Sequence, residues 1–364
     1  MATSVSEAEE ASVNNSQEAA AAAAAVTTTT IQSPTPQDLL PRIPIGHPDS
    51  MMSKESVRRA VEEFKTRPTD VIVATFPKTG TTLVTWICHL LRTNAVPMNE
   101  EDQNSFETLY EVVPWPTLSW DIGYDPNLQG SQFEPRVFKS HLRMASIYPG
   151  CKYVVTIRDP AKTALSFYNF FLAKKVPFLV EIDGNGESPK LKMDVSTFLV
   201  DTPFVKGSPQ TATSNLRASI WDYYEEYHRL LECPSVLILV YEDFLTDKKS
   251  QISQLSRFIG INESNDLIDR VSFMSTKAYM SQHMSKFDEP YERAKELNRA
   301  ADISQLAPGA KIALQTHKQR LDERATQFLK DSWNQIMQPL GYRDYETFAD
   351  LVRKRNKRLF GREL

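Results

Sequence analysis

No run of about 18 apolar residues occurs anywhere in the 364-residue chain, so the sequence predicts no transmembrane helix. Cysteine is scarce. Cys88, Cys151 and Cys233 lie far apart with no CxxC pair, which excludes a disulfide framework and the common zinc spacings. Each stands in apolar surroundings, so three buried free thiols in a reducing, cytoplasmic compartment are expected. Charge of one sign is lacking too. The formal net charge of −4 sits entirely in residues 1–45, which hold five acids (Glu7, Glu9, Glu10, Glu18, Asp38) and one base (Arg42). Beyond them, 41 of the 42 bases face 41 of the 46 acids. No basic surface for nucleic acid is expected, and any anion site must come from local placement of bases. No clustered Asp, Glu and His set suggests metal ligands, and no internal repeat is found.

Residues 1–45 are low-complexity: Glu and Ser, then seven consecutive alanines, four threonines and a Pro-dotted stretch. Such a composition buries too little apolar surface to offset chain entropy. A disordered tail over residues 1–45 is expected, followed by a single domain over residues 46–364. The tail has neither the basic start and Leu-rich core of a secretory signal nor the Arg-rich, acid-poor character of a transit peptide.

What is present is organised around residues 71–82, Val-Ile-Val-Ala-Thr-Phe-Pro-Lys-Thr-Gly-Thr-Thr. An apolar, β-branched run ends at a Pro-Lys-Thr-Gly turn, and Leu83, Ile87, Leu90 and Leu91 follow at helical spacing. The pattern is strand, tight loop, helix. Free N–H groups and the dipole at such a helix start favour an anion. Gly80 lets the backbone approach a ligand, Lys78 adds a full positive charge, and Thr79, Thr81 and Thr82 add hydroxyl donors. A phosphate or sulfate group is the expected guest. The familiar phosphate loop G-x-x-x-x-G-K-[ST] carries its Lys after the last Gly; here Lys78 precedes Gly80.

Elsewhere the chain alternates. A helix is predicted over residues 51–65, with Val57, Val61 and Phe64 on one face. A short strand over 136–141 ends in Lys139-Ser140-His141, and a buried strand over 152–157 is closed by Arg158-Asp159-Pro160. An aromatic-rich helix covers 161–173, and residues 175–213 read as a long surface excursion. A helix over 215–231 lines up Leu216, Ile220, Tyr224 and Tyr227. A strand over 236–241 runs into Glu242-Asp243, a helix follows over 252–259, and the last eighty residues are mainly helical. Apolar strands alternating with helices imply an α/β fold, a mostly parallel sheet covered by helices on both faces. Such sheets bind ligands beyond the carboxyl ends of their strands, so the polar strand ends meet at one edge.

The loop Phe76-Pro77-Lys78-Thr79-Gly80-Thr81-Thr82 resembles the 5′-phosphosulfate loop of the cytosolic-type sulfotransferases, which use 3′-phosphoadenosine 5′-phosphosulfate (PAPS). Other motifs follow in order. Arg158 and Ser166 match the family's pair that binds the 3′-phosphate, a guanidinium giving bidentate donors and a hydroxyl adding another. Lys139-Ser140-His141 resembles the Lys-[Ser/Thr]-His whose His is the catalytic base. Tyr241-Glu242-Asp243 matches a stretch whose Tyr approaches the adenine, and Trp221 falls where relatives usually carry a Trp. Val271-Ser272-Phe273 resembles a stretch that packs on the nucleotide. The resemblance spans roughly residues 48–341 and implies a P-loop-like sulfotransferase fold. Two departures stand out. Leu83 replaces a Trp that stacks on adenine in many relatives, and the late Arg-Lys-Gly is not visible. Lys286, Arg293, Arg299, Lys311, Lys318 and Arg320 are the bases in that region.

Sulfuryl transfer requires a base for the acceptor hydroxyl and stabilisation of the leaving phosphate. His141 suits the first role, since an ordinary imidazole is largely neutral at pH 7. Lys78 and Lys139 suit the second, and a sulfuryl group, carrying less charge than a phosphoryl group, needs no metal in place of lysines. The expected acceptor is a small, apolar molecule with a hydroxyl, beside Phe106, Tyr110, Trp115, Trp120, Phe138, Tyr168 and Phe171. Self-association as a homodimer is compatible with the sequence. Two other classes are also compatible: a P-loop-type kinase or nucleotidase with Asp243 holding Mg²⁺, and a non-catalytic nucleotide-binding protein, for which a base beside Lys139 has no use.

Overall fold

Four apolar runs form the sheet: Val71–Ala74 (β1), Val137–Ser140 (β2), Lys152–Ile157 (β3) and, after a hairpin of Val180–Ile182 (β4) and Pro189–Leu191 (β5), Val236–Val240 (β6). The structure is a computed structural model that describes residues 34–43, 45, 52–96, 106–129, 134–173, 179–182, 189–201, 219–288 and 319–361. Among these the main sheet runs β2-β1-β3-β6, and β4 pairs only with β5. All neighbours in the main sheet are parallel, and the hairpin is antiparallel.

Side-chain alternation divides the core in two. Ile72, Ala74, Phe138, Tyr153, Val155, Ile157, Val236, Ile238 and Val240 face one layer, joined by Phe167, Phe198, Tyr224 and Phe348 from helices. Val71, Val73, Val137, Val154, Leu237 and Leu239 face the other, joined by Ile87, Leu255 and Val271. The first layer is covered by the helices Pro160–Ala173, Val195–Asp201, Ile220–Arg229, Glu323–Ile336 and Tyr345–Phe360. The second is covered by Thr81–Arg92, Lys248–Ile259 and Asn265–Met274. This is the helix-covered parallel sheet that the strand–helix alternation implied. All three cysteines are buried free thiols.

The register of β1 on β2 is held from below by charge. Asp70 precedes β1 and Arg136 precedes β2, and Val71 pairs with Val137. The Arg136 guanidinium donates from Nε to Oδ1 of Asp70 at 2.8 Å and from Nη2 to Oδ2 at 2.6 Å, with both side chains buried. Removing one partner would leave a buried charge unmatched, which typically costs about 3–5 kcal/mol.

The helix Ile220–Arg229 starts at a Ser219–Asp222 capping box and carries a buried acid, Glu226. Its carboxylate accepts from Arg143 Nε and from the Met144 N–H, both at 2.8 Å. Burial pushes the carboxyl up to about 6, against the pull of Arg143 and the Met144 amide.

Several elements differ from the sequence-based reading. The helix expected over 215–231 is Ile220–Arg229, with Ser219 extended at its N-cap. The helix predicted over 51–65 is Lys54–Glu62; Val57 and Phe64 are buried, but Val61 is 49% exposed. The excursion at 175–213 contains the β4–β5 hairpin and the helix Val195–Asp201, and residues 202–218, with the expected stripe residue Leu216 at 216, lie outside the described residues. The expected tail boundary at 45 falls inside folded structure. Pro36–Leu39 is a short helix and Leu40 is buried in the first layer. The Ile43 N–H donates to Ala145 at 3.0 Å, and its carbonyl accepts from Ser146 Oγ at 2.7 Å. Low-complexity sequence hid this segment because its inward-packed apolar residues, Pro36, Leu40 and Ile43, are sparse and aperiodic.

A chain begun at residue 44 should therefore melt at least about 4 °C below one begun at residue 34. Burial of one leucine contributes about 2 kcal/mol, and each kcal/mol moves Tm by roughly 2–4 °C at this size. Equal melting temperatures would show that the segment adds nothing. For Glu226 the sign follows from linkage. Its folded-state pKa is raised, so the native chain holds this proton more tightly than the unfolded chain. Stability then falls as pH rises between the ordinary carboxyl value and about 6, by about 2 kcal/mol. Denaturant unfolding at pH 4 and pH 7 should show Glu226→Gln gaining about that much on the wild type across the interval; a constant difference would mean that Glu226 titrates normally.

Candidate active site

The loop after β1 is shaped by two left-handed residues, Lys78 at φ 69° and Gly80 at φ 116°. Gly80 is also the N-cap of the helix Thr81–Arg92, whose start has no side-chain cap and no acid in its first turn. Its first-turn amides and dipole therefore favour an anion. A Cβ on Gly80 would lie 2.6 Å from Cδ2 of Tyr241, so glycine is required here both for φ and for the close approach of that ring. The expected threonine hydroxyls are divided. Thr79 Oγ1 donates to the Phe76 carbonyl at 2.7 Å and pairs with Thr156 Oγ1 at 2.7 Å, while Thr81 Oγ1 pairs with Thr75 Oγ1 at 2.5 Å. A tight turn buries its own polar atoms, and these hydroxyls satisfy one another. Thr82 is half-buried and lines a small cavity with Thr85, Leu109, Tyr110, Val113 and Lys139.

The other wall comes from β2. Ala74 pairs with Ser140, and the Thr75 N–H donates to the Ser140 carbonyl at 3.3 Å. One residue further, His141 Nδ1 lies 2.8 Å from the Thr75 carbonyl. A carbonyl only accepts, so Nδ1 carries the hydrogen and the lone pair of the neutral ring is on Nε2. Lys139 is buried on the opposite strand face from Phe138. Its Nζ donates to the Tyr110 hydroxyl at 2.7 Å and stands 4.0 Å over the Trp115 ring. Trp115 also meets His141 edge-on at 5.1 Å, so the lysine and the imidazole contact the same indole. Of the seven aromatics expected beside the site, Tyr110 and Trp115 are thus in contact with its polar groups. Phe106 packs on Trp86 and His89, Phe138 on Phe64, and Tyr168 on Phe198. Tyr110 appeared in the sequence only as a pocket aromatic. Its role as the partner of Lys139 comes from the short helix Leu109–Val112, started by a Thr108–Glu111 capping box.

Beyond β3, Arg158 reaches across the loop. Its Nη1 donates to the Lys78 carbonyl at 2.7 Å, and its guanidinium lies 4.4 Å over the Tyr241 ring. Its Nε is buried with no hydrogen-bond partner among the described residues, an orphaned donor that suits an anionic ligand. Lys78 Nζ sits 4.3 Å over the Phe170 ring. Ser166 is half-buried, about two turns along Pro160–Ala173. Loop, Arg158 and Tyr241 are therefore brought together. Ser272 and Phe273 lie near the end of the helix Asn265–Met274, and Phe273 is 66% exposed, edge-on to Tyr279 at 5.6 Å. That helix is tied to Thr81–Arg92 by Trp86 Nε1 donating to Met274 O at 3.0 Å. Leu83 is half-buried against the same layer.

Several signals turn out to be structural. Asp243 receives Arg353 Nη2 at 2.8 Å and Nε at 3.0 Å, and Glu242 accepts from Tyr345 at 2.6 Å. Both acids of the Tyr-Glu-Asp stretch thus anchor the C-terminal helix, which leaves Asp243 poorly suited to a magnesium ion. Among the described residues no group of three His, Cys, Asp or Glu could hold a metal. Trp221 is buried against Tyr224 and Trp333. Lys286 donates to the Phe106 carbonyl at 2.5 Å, Arg320 is exposed, and Arg293, Arg299, Lys311 and Lys318 lie outside the described residues.

Sulfotransferase 1B1 of Canis lupus familiaris is 25% identical over 224 residues, covering 58% of this chain and 66% of that protein. Sulfotransferase 2A1 of Rattus norvegicus is 24% identical over 237 residues, covering 64% and 74%. The match spans just under two thirds of the length of the first of these, and likewise of sulfotransferase 1E1 from Bos taurus, at 65%. A crystal structure of mouse sulfotransferase SULT7A1 complexed with PAP superposes with a TM-score of 0.52 at 13% identity, covering 84% of this chain and 95% of that one. At that identity the likeness establishes the fold. The sulfotransferase domain model matches residues 68–338, well over half of the sequence, and the chain belongs to that family.

Proposed function

We propose that this protein transfers a sulfuryl group from PAPS to a hydroxyl of a small, apolar acceptor, with His141 as general base. The observation that carries the reading is the hydrogen bond from His141 Nδ1 to the Thr75 carbonyl. It leaves Nε2 as the basic nitrogen, on the strand neighbouring the one that ends in the anion-binding loop. The orphaned Arg158 Nε and the uncapped helix start behind Gly80 fit the two phosphates of such a nucleotide.

PAPS supplies the sulfuryl group and leaves as the bisphosphate. The residues do the rest. His141 Nε2 takes the acceptor proton as its oxygen bonds to sulfur. Lys78 and Lys139 offset the negative charge that collects on the bridging oxygen, and the Tyr110 hydroxyl orients Lys139. Gly80, Thr81 and Thr82 offer loop N–H groups and the Thr82 hydroxyl to the 5′-phosphate, and Thr79, bonded to Phe76 and Thr156, holds the shape of the loop. Arg158 and Ser166 take the 3′-phosphate, while Tyr241, Ser272 and Phe273 serve the base and sugar. Buried free thiols support action in a reducing cytoplasm.

Transfer of labelled sulfate from PAPS to a panel of hydroxylated small molecules tests the reading directly, and no turnover on any acceptor would favour a nucleotide binder. His141→Ala should lose about 10²–10⁴-fold in turnover while still binding the nucleotide product. His141→Gln should fail as badly, since it keeps polarity without basicity; near-normal turnover in Gln would remove His141 as the base. Arg158→Ala should weaken binding of PAPS by at least about 1.5 kcal/mol, the scale of a charged hydrogen bond. Binding of an analogue without the 3′-phosphate should hardly change. Equal losses for both ligands would mean that Arg158 acts only through its bond to Lys78.

A further inference from the structure

The imidazole of His141 is fixed on its ring side by Thr75. Its main chain is fixed from a different element. The Tyr223 hydroxyl, on the helix Ile220–Arg229, donates to the His141 carbonyl at 2.5 Å. Tyr223 is buried and lies edge-on to Phe76 of the loop at 5.3 Å and to Tyr227 at 6.1 Å. Packing alone would be served equally by phenylalanine. A buried hydroxyl must find a partner or lose stability, so its presence here is explained by the carbonyl it holds. One turn on, Glu226 holds the same chain turn through Met144 N–H and Arg143. The neighbouring tyrosine serves a different strand end: Tyr224 accepts from the Arg158 N–H at 3.1 Å and donates to the Arg158 carbonyl.

We propose that Tyr223 is a positioning residue for His141, its hydroxyl holding the His141 carbonyl so that Nδ1 stays on Thr75 and Nε2 stays the basic nitrogen. Tyr224, one residue away on the same helix, positions Arg158 instead. Two hydroxyls with the same chemistry then govern different kinetic constants. The kinetic part rests on the reading of His141 as the base of a PAPS-dependent transfer; the tautomer part does not.

The experiment compares full-length wild type, Tyr223→Phe and Tyr224→Phe. Turnover, KM for PAPS, melting temperature and the ring-nitrogen NMR signals of His141 are measured on each. Tyr223→Phe should lower kcat about tenfold, below the hundredfold that a 1 Å misplacement can reach, with KM for PAPS within about twofold. Its His141 signals should show a mixture of the two neutral tautomers in place of Nδ1–H alone. Tyr224→Phe should raise KM for PAPS and leave both kcat and the His141 tautomer as in wild type. Wild-type kcat and an unchanged tautomer in Tyr223→Phe, with only a lower melting temperature, would overturn the proposal. Should the wild type transfer no sulfuryl group, the functional reading falls, and the NMR comparison alone still decides whether Tyr223 sets the tautomer. If Tyr223→Phe does not fold, Tyr223→Met, which fills the same buried site without a hydroxyl, gives the same readouts with the same outcomes expected.

Discussion

The register of β1 against β2 is the constraint on which the site depends. It is pinned at one end by the buried Asp70–Arg136 pair and at the other by His141 on the Thr75 carbonyl. Between them the pairing runs Val71 with Val137 to Ala74 with Ser140. A slip of one residue would exchange the faces of β2. Lys139 would turn into the layer that holds Phe138, and the imidazole would lose the carbonyl that sets its tautomer. The ion pair therefore matters less as stabilisation than as a register mark, placed on the residue before each strand. Its acid and base are 66 positions apart in the chain.

The cations at the upper edge are treated differently from that pair. Lys78 lies over Phe170, Lys139 over Trp115, and Arg158 over Tyr241. A ring face attracts a cation without cancelling its charge, so such seating orients a base and still leaves it attractive to an anion. Arg158 makes no ion pair among the described residues, and one of its donors is left over. Arg136, Arg143 and Arg353, by contrast, lie on Asp70, Glu226 and Asp243 and are consumed by the fold.

The helix Ile220–Arg229 ties these parts into one frame. Tyr227 donates to the Ala74 carbonyl at 3.4 Å, Tyr223 to His141, and Tyr224 bonds both main-chain groups of Arg158. The ends of β1, β2 and β3 thus hang on a single helix turn and a half. Burial pushes the Tyr223, Tyr224 and Tyr227 hydroxyls well above the ordinary phenol range, so all three stay protonated donors.

Much of this was legible from residues 71–82 and the polar ends of the later strands. Periodicity and punctuation located β1, β3 and β6 nearly to the residue, because an apolar run bounded by a turn has one economical structure. The order of short motifs likewise pointed to the sulfotransferase family. Local sequence also explains why Gly80 must be glycine, once a positive φ is needed there. It did not show that the Thr79 and Thr81 hydroxyls turn inward, that residues 34–43 dock on the domain, or that Tyr110 holds Lys139. Nor did it distinguish Tyr223 from Tyr224 on a helix it expected over 215–231 and that runs from Ile220 to Arg229. The bonds of Lys139 to Tyr110, Ser146 to Ile43 and Tyr223 to His141 join residues 29, 103 and 82 positions apart. Periodicity records which face of an element is apolar, whereas the partner that arrives opposite a given hydroxyl or ammonium is decided only when the layers pack.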